Sequence, residues 1–256
     1  MVVDKDGRHF HFVGICGTAM GAVAAAMKDR GCIVSGSDEH VYEPMSTFLE
    51  EKGIISKEGY RAENIPLQAD TVIIGNAMSR GNPEVEAVLE RRLPYTSLPQ
   101  LLKDEFLRGR RNLVVTGTHG KTTTASILAH LLQSCGLDPG YMIGGIARDL
   151  GKGCRFSDSE FFVLEGDEYD TAFFDKRSKF VHYLPEVVII NNIEFDHADI
   201  FEDINAIKNS FRCMLNIVPR DGAVFVNGDD EHALEAAAGC HAQVLRVGFD
   251  EKCERR

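Results

Sequence analysis

From His9 onward the apolar positions fall into short runs separated by longer amphipathic stretches, which is how strands alternating with helices are written. Residues 10–14 (Phe-His-Phe-Val-Gly) read as a strand, a glycine turn follows, and 18–30 reads as a helix stopped by Gly31. Residues 32–36 supply the next strand, so the chain opens with a β-α-β unit. A second round has a helix over 44–52 ended by Gly53, a wholly apolar strand at 71–75, and a helix with Asn82 as its cap and Pro83 at its first position. Strands alternating with helices imply a parallel sheet covered on both faces.

After the stretch 94–99 and the basic cluster 108–111 the pattern restarts. A strand at 113–115 runs straight into a second glycine loop, and a helix over 121–135 follows with Ile127, Leu128, Leu131 and Leu132 expected on one buried face. Strands at 161–164, 187–190, 223–226 and 244–247 and a helix over 204–216 complete the reading. The expected fold is α/β: a Rossmann-like parallel-sheet domain over 1–108, then a P-loop ATPase-type α/β domain over 109–256 that stops short of a full sheet. The basic cluster is expected to be a solvated hinge between them.

Composition narrows the classes. The 256 residues are 44% hydrophobic, enough for a packed core. A formal net charge of −11 argues against a broad grip on nucleic acid, which needs local excess of Lys and Arg to replace phosphate counterions. No apolar run approaches the ~18 residues of a membrane span, and the first residues lack a signal-peptide pattern. A cytoplasmic protein is expected, with no nucleic-acid and no membrane partner. The seven cysteines are scattered singly, without a Cys-x-x-Cys pair; they suit a reducing compartment, and most are expected to be small buried hydrophobes.

The second loop carries the sharpest chemistry. Thr116-Gly117-Thr118-His119-Gly120-Lys121-Thr122-Thr123 lies between a strand and a helix, where backbone N–H groups and the helix N-terminus can surround a phosphate. Gly117 and Gly120 let the backbone come close, Lys121 supplies the cation, and Thr122 is the candidate magnesium ligand. The usual pattern has glycine where this chain has Val115. Phosphoryl transfer needs oxygen or imidazole ligands for the metal, and strand ends are where an open sheet presents them. Glu165 ends one strand and is followed by Asp167, Glu168 and Asp170; these three acids also read as a solvated loop. His197 follows the next strand, in Asn191-Asn192-Ile193-Glu194-Phe195-Asp196-His197, and a structural role for it stays open.

The first loop, Gly14-Ile15-Cys16-Gly17-Thr18-Ala19-Met20-Gly21, has the strand and helix context of a dinucleotide fingerprint, with Asp38 at the end of the second strand. Cys16 replaces the glycine that lets a pyrophosphate approach. By itself this loop suits some pyrophosphate-bearing ligand, a nicotinamide dinucleotide among them.

Taken together, the two loops with Ser37-Asp38, the run 116–124, Glu165-Gly166-Asp167-Glu168 and Asn192-Ile193-Glu194-Phe195-Asp196-His197 resemble the Mur ligase family of peptidoglycan synthesis. That family's loop tolerates a non-glycine at the place of Val115. Within it, the run 169–183 and the segment 41–46 are similar to the branch that attaches recycled L-alanyl-γ-D-glutamyl-meso-diaminopimelate to UDP-N-acetylmuramate. The resemblance implies an ATP-dependent, magnesium-assisted ligase working through an acyl phosphate. ATP would bind at Gly117, Thr118, His119, Gly120, Lys121, Thr122 and Thr123. Lys121, Glu165 and His197 would be catalytic, with Thr122 and Glu165 on one magnesium and His197 on a second. The UDP-sugar would lie against Gly14, Ile15, Cys16, Gly17, Thr18, Ala19, Met20, Ser37, Asp38, Asn76 and Ala77, the last two in a loop with Met78, and the murein tripeptide would be the third partner. Members carry a further C-terminal domain that is not expected in this chain, so binding with little turnover is the expectation. An L-alanine ligase of the same family and a non-catalytic nucleotide-sugar module are the other readings.

Overall fold

The computed structural model describes residues 7–145, 147–196, 200–249 and 253–254, and the chain divides into two units. One comprises Met1–Leu102 with Thr171–Lys176, the other Lys103–Asp170 with Arg177–Arg256.

The first unit contains β1 (His9–Val13), α1 (Thr18–Asp29), β2 (Ile33–Asp38), α2 (Met45–Glu51), β3 (Ile55–Glu58), β4 (Thr71–Ile74), α3 (Pro83–Glu90), β5 (Tyr95–Ser97) and α4 (Leu98–Leu102). Its five strands are parallel in the order β3-β2-β1-β4-β5. The sheet grows from β1 in one direction through β2 and β3, then in the other through β4 and β5. Right-handed crossovers therefore put helices on opposite faces and open a crevice beyond the carboxyl ends of β1 and β4. Beneath it Val13, Val72, Ile74, Val85 and Val88 form one apolar cluster. Burial of each such side chain contributes roughly 1.5–3 kcal/mol.

The second unit holds β6 (Arg111–Thr116), α5 (Lys121–Ser134), β7 (Gly140–Met142), β8 (Cys154–Arg155), β9 (Phe161–Glu165), β10 (Asp170–Ala172), β11 (Asp175–Ser178), β12 (Pro185–Ile190), α6 (Ile204–Leu215), β13 (Ala223–Asn227), α7 (Glu231–Ala237) and β14 (Gln243–Val247). The main sheet runs β14-β13-β12-β6-β9-β7-β8 and only its β7–β8 pairing is antiparallel. Because β9, β6 and β12 are parallel neighbours, the segments leaving them share one edge. β10 and β11 pair separately and straddle the two units, since Thr171–Lys176, which takes in most of β10 and the start of β11, counts with the first. There Phe173 packs on the Val13 cluster and Phe174 meets Tyr95 edge-on at 5.0 Å.

Several expectations need correction. The core face of α5 is Ala125 and Ala129, with Leu128 and Leu132 at its margin. Ile127 and Leu131 are 55% and 54% exposed, because they lie about 100° further round the helix. Small alanines let α5 approach the sheet, so the larger residues flank rather than fill the contact. Of the cysteines only Cys32 is buried, and all seven are free thiols. The basic cluster belongs to the second unit, where Arg108 pairs with Asp104 and Arg111 with Glu186. Short strands β3, β5, β7 and β8 were not legible, since segments of two to four residues such as Ile-Ser-Lys-Glu carry no apolar run. Among the described residues no helix is long and apolar enough to cross a membrane.

Candidate functional site

The second glycine loop leaves the centre of the seven-stranded sheet. Val114, Val115 and Thr116 of β6 are buried, and the chain then turns through Gly117 and Gly120 into α5. Gly117 has φ +132°, and a Cβ there would lie 3.0 Å from the Asn191 Cβ and from the Asn192 nitrogen and oxygen. Only glycine fits both the torsion and the gap. Two asparagines after β12 hold the loop. The Thr118 N–H donates to the Asn192 carbonyl at 3.0 Å and the His119 N–H to Asn192 Oδ1 at 2.8 Å. Asn191 Nδ2 donates to the His119 carbonyl at 3.2 Å and to Thr124 Oγ1 at 3.2 Å. Asn191 and Asn192 were not picked out as site residues; the only signal was a pair of amides directly after an apolar strand.

Charge is arranged on the same edge. Lys121 Nζ donates to the carbonyls of Gly117 (2.7 Å) and Thr118 (3.2 Å) and lies 3.1 Å from Glu168 Oε2. Glu168 is 3% exposed. Burial pushes its carboxyl above the usual range and Lys121 pulls it back. It is thus the buried counter-ion of the loop lysine, not a member of a solvated acidic loop. Asp167 in turn takes a 2.7 Å ion pair from Lys179. Thr122 Oγ1 donates to Glu165 Oε1 at 2.9 Å, and the Gly144 N–H donates to Glu165 Oε2 at 2.7 Å. A hydroxyl and a carboxylate brought together at the start of a helix are the hard oxygen donors that suit Mg2+, which takes one or two protein ligands and completes its shell with phosphate and water. No cluster of three or more His, Cys, Asp or Glu able to hold a metal occurs among the described residues, a set Mg2+ does not require. His119 and Glu194 face each other at 3.6 Å, both 62% exposed, so this pair contributes little. His197 lies outside the described residues.

Along the flank of α5 a cavity of about 410 Å³ is lined by Thr122, Ser126, Ile127, Leu131, Gly145 and Leu150, among others.

In the first unit the glycine loop after β1 is fastened to the end of β2. The Gly14 and Ile15 N–H groups donate to the Ser37 carbonyl at 2.8 and 3.0 Å, and the Cys16 N–H donates to Asp38 Oδ2 at 2.8 Å. Burial and the nearby Asp38 carboxylate hold the Cys16 thiol up at about 11. Ile15, Met20 and Ser37 are buried, whereas Gly17, Thr18, Asn76 and Ala77 are exposed. Met78, in the expected loop 76–78, and Tyr60, absent from the expected set of site residues, flank the glycine loop: a methyl on Gly14 would lie 3.5 Å from Met78 Cε and 3.9 Å from Tyr60 Oη. The Ser37 hydroxyl donates to Glu84, a fully buried acid.

Helices α1 and α5 begin on Gly17 and Gly120 with no side-chain cap. By contrast α3, α6 and α7 are capped by Asn82, Asp203 and Asp230. An uncapped N-terminus following a glycine loop leaves its first N–H groups for an anion.

Comparison with known proteins agrees with this arrangement. Residues 9–109 match the family model described as Mur ligase family, catalytic domain, and 115–255 match the Mur ligase middle domain. A Haemophilus influenzae protein named UDP-N-acetylmuramate–L-alanyl-γ-D-glutamyl-meso-2,6-diaminoheptandioate ligase is 52% identical over 96% of this chain and 54% of its own length. A UDP-N-acetylmuramate–L-alanine ligase from Nitrosomonas europaea is 37% identical over 94% of this chain and 49% of its own. The crystal structure of UDP-N-acetylmuramate:L-alanyl-γ-D-glutamyl-meso-diaminopimelate ligase from Neisseria meningitides superposes with a TM-score of 0.88 at 47% identity, over 93% of this chain and 77% of that one. The chain spans about half the length of the curated relatives it matches.

Proposed function

The chain belongs to the Mur ligase family, and from that premise we propose that it is the nucleotide-sugar- and ATP-binding portion of a ligase joining L-alanyl-γ-D-glutamyl-meso-diaminopimelate to UDP-N-acetylmuramate. The observation that carries this reading is the set around Lys121: a loop lysine held against a buried Glu168, with Thr122 and Glu165 in contact beside it. ATP lies along 117–123. Its γ-phosphoryl passes to the muramyl carboxylate with loss of ADP, and the peptide amine then attacks the acyl phosphate, forming the amide and releasing phosphate. Lys121 exchanges its carbonyl partners for phosphate oxygens and stabilises the transferring group. Thr122 and Glu165 would hold magnesium, which would supply charge neutralisation to the transferring phosphoryl group. His197 is assigned to a second magnesium.

The UDP-sugar occupies the first unit's crevice, against the loop 14–20, Asp38 and the segment after β4. In this division 1–108 serves the sugar nucleotide and 109–256 serves ATP, in the cytoplasm. The tripeptide is preferred over L-alanine as the amine because identity to the named tripeptide ligase is 52%, against 37% to the alanine ligase.

The test is calorimetric titration of the chain with UDP-N-acetylmuramate and then with Mg-ATP, alongside Lys121→Ala. Both ligands are expected to bind the parent chain, and only Mg-ATP is expected to be lost in the variant. Binding of NADH with neither of these ligands would replace the ligase reading by a dehydrogenase.

A further inference from the structure

Glu84 is the second residue of α3 and is fully buried. A carboxylate with no exposed surface is costly unless its oxygens are bonded, and here each is. The Ser37 hydroxyl donates to Oε2, while the Arg61 N–H (3.2 Å) and Asn64 Nδ2 (2.7 Å) donate to Oε1. The donors come from different segments: Ser37 from the end of β2, Arg61 and Asn64 from the stretch after β3. Glu84 itself stands where the chain re-enters a helix after β4.

Each bond leads on to the first glycine loop. The Ser37 carbonyl accepts the Gly14 and Ile15 N–H groups. Asn64 Nδ2 also donates to the Gly59 carbonyl at 2.7 Å, the Gly59 N–H donates to the Asp38 carbonyl at 2.8 Å, and Asp38 Oδ2 accepts the Cys16 N–H. Tyr60, whose hydroxyl flanks Gly14, sits between Gly59 and Arg61. We propose that Glu84 is a positioning residue for the sugar-nucleotide crevice, one carboxylate that joins the segments following β2, β3 and β4 and so sets the height and slope of the loop 14–17. The proposal rests on the reading of that crevice as the UDP-sugar site.

An apolar residue at this position would fill the space but remove the acceptor of the Ser37 hydroxyl, of the Arg61 N–H and of one of the two bonds from Asn64 Nδ2, which keeps the Gly59 carbonyl. The acid is favoured locally as well. Asn82 Oδ1 accepts the Glu84 and Val85 N–H groups at 2.9 and 3.3 Å, so Glu84 lies in the first turn of a capped helix, where the dipole stabilises negative charge.

The experiment is amide hydrogen exchange by NMR on the full chain, with and without Glu84→Ala, together with the titrations above. The Gly14, Ile15 and Arg61 amides are expected to exchange at least about tenfold faster in the variant, with β6 amides unchanged. Affinity for UDP-N-acetylmuramate is expected to fall about tenfold and that for Mg-ATP to stay within about twofold. Glu84→Gln is expected to restore both readouts to within about threefold, because its carbonyl keeps Arg61 and Asn64 while its NH2 donates to a Ser37 hydroxyl turned to accept. Should Glu84→Ala fail to fold, Ser37→Ala cuts the same tie from the other end, with the same acceleration expected at Gly14 and Ile15. Unchanged exchange at those amides in a folded variant overturns the proposal. A parent chain that does not bind UDP-N-acetylmuramate overturns the ligand reading instead, and the exchange rates still decide the part Glu84 plays.

Discussion

The two glycine loops share a scaffold, a buried parallel strand, a turn and a helix that starts without a side-chain cap, yet they are finished differently. The loop after β1 is tied by its own N–H groups to Ser37 and Asp38, and no lysine stands in it. The loop after β6 is tied by Asn191 and Asn192, and it carries Lys121 against Glu168 and Thr122 against Glu165. One offers a shaped and largely neutral surface, suited to holding a diphosphate in place. The other concentrates ionised groups that can follow charge as it moves between oxygens. In the proposed division the same local fold would serve binding in one unit and chemistry in the other, and what separates them is the side chains just beyond the glycines.

Lys121→Ala is the strongest way to break that contrast. It removes the cation of the loop and breaks its ion pair with buried Glu168, at an expected cost of roughly 3 kcal/mol. Mg-ATP affinity is expected to fall about a hundredfold or more, with UDP-N-acetylmuramate affinity within about twofold of the parent. Equal losses for both ligands in calorimetry would mean that the loops are not separate sites.

Next comes a matched pair of glycine substitutions. Gly117→Ala meets both φ +132° and the 3.0 Å approach of Asn191 and Asn192, and is expected to lower the unfolding free energy by about 2–3 kcal/mol. Gly17→Ala meets neither, since Gly17 has φ −61° and no atom closer than 3.5 Å to the added carbon. Its expected cost is below about 1 kcal/mol. Urea unfolding of the two variants reads the difference directly, and similar costs would show that the first loop is as tightly constrained as the second.

Thr122→Val keeps the shape and removes the hydroxyl that faces Glu165. A loss of about 1 kcal/mol, some fivefold in Mg-ATP affinity, is expected when magnesium is present. An equal loss with magnesium chelated would take Thr122 out of the metal's shell.

The smallest effect is expected for Asp38→Asn, which retains an oxygen to accept the Cys16 N–H. UDP-N-acetylmuramate affinity should change by less than about 1 kcal/mol, whereas Asp38→Ala should lose more because that N–H is left without its acceptor. Equal behaviour of the two variants would separate Asp38 from the loop.

Periodicity and punctuation made much of this legible in advance. Asn82 and Pro83 announced α3, the glycines announced both loops, and the apolar runs at 71–75 and 187–190 announced buried parallel strands. Each of these signals is local, because a cap, a turn or an alternation is satisfied within a few residues. Glu165 at the end of β9 was legible for the same reason.

What escaped depends on partners distant in the chain. Glu168 reads as one acid in a hydrophilic run until Lys121 is seen beside it, and Glu84 reads as an ordinary first-turn acid until Ser37 and Asn64 are seen to surround it. Phe173 and Phe174 stand in the segment that resembles the tripeptide-ligase branch, and only the fold shows that they pack on the Val13 cluster and Tyr95.

The sequence by itself determined the alternation of strands and helices, the places where backbone can approach a phosphate, and the presence of a lysine and a hydroxyl there. Tertiary structure alone decided which acids lose their water and become counter-ions and which remain solvated. The reason is physical: the charge state and reach of a carboxylate are set by burial and by donors contributed from other segments, and neither is encoded in its immediate neighbours along the chain.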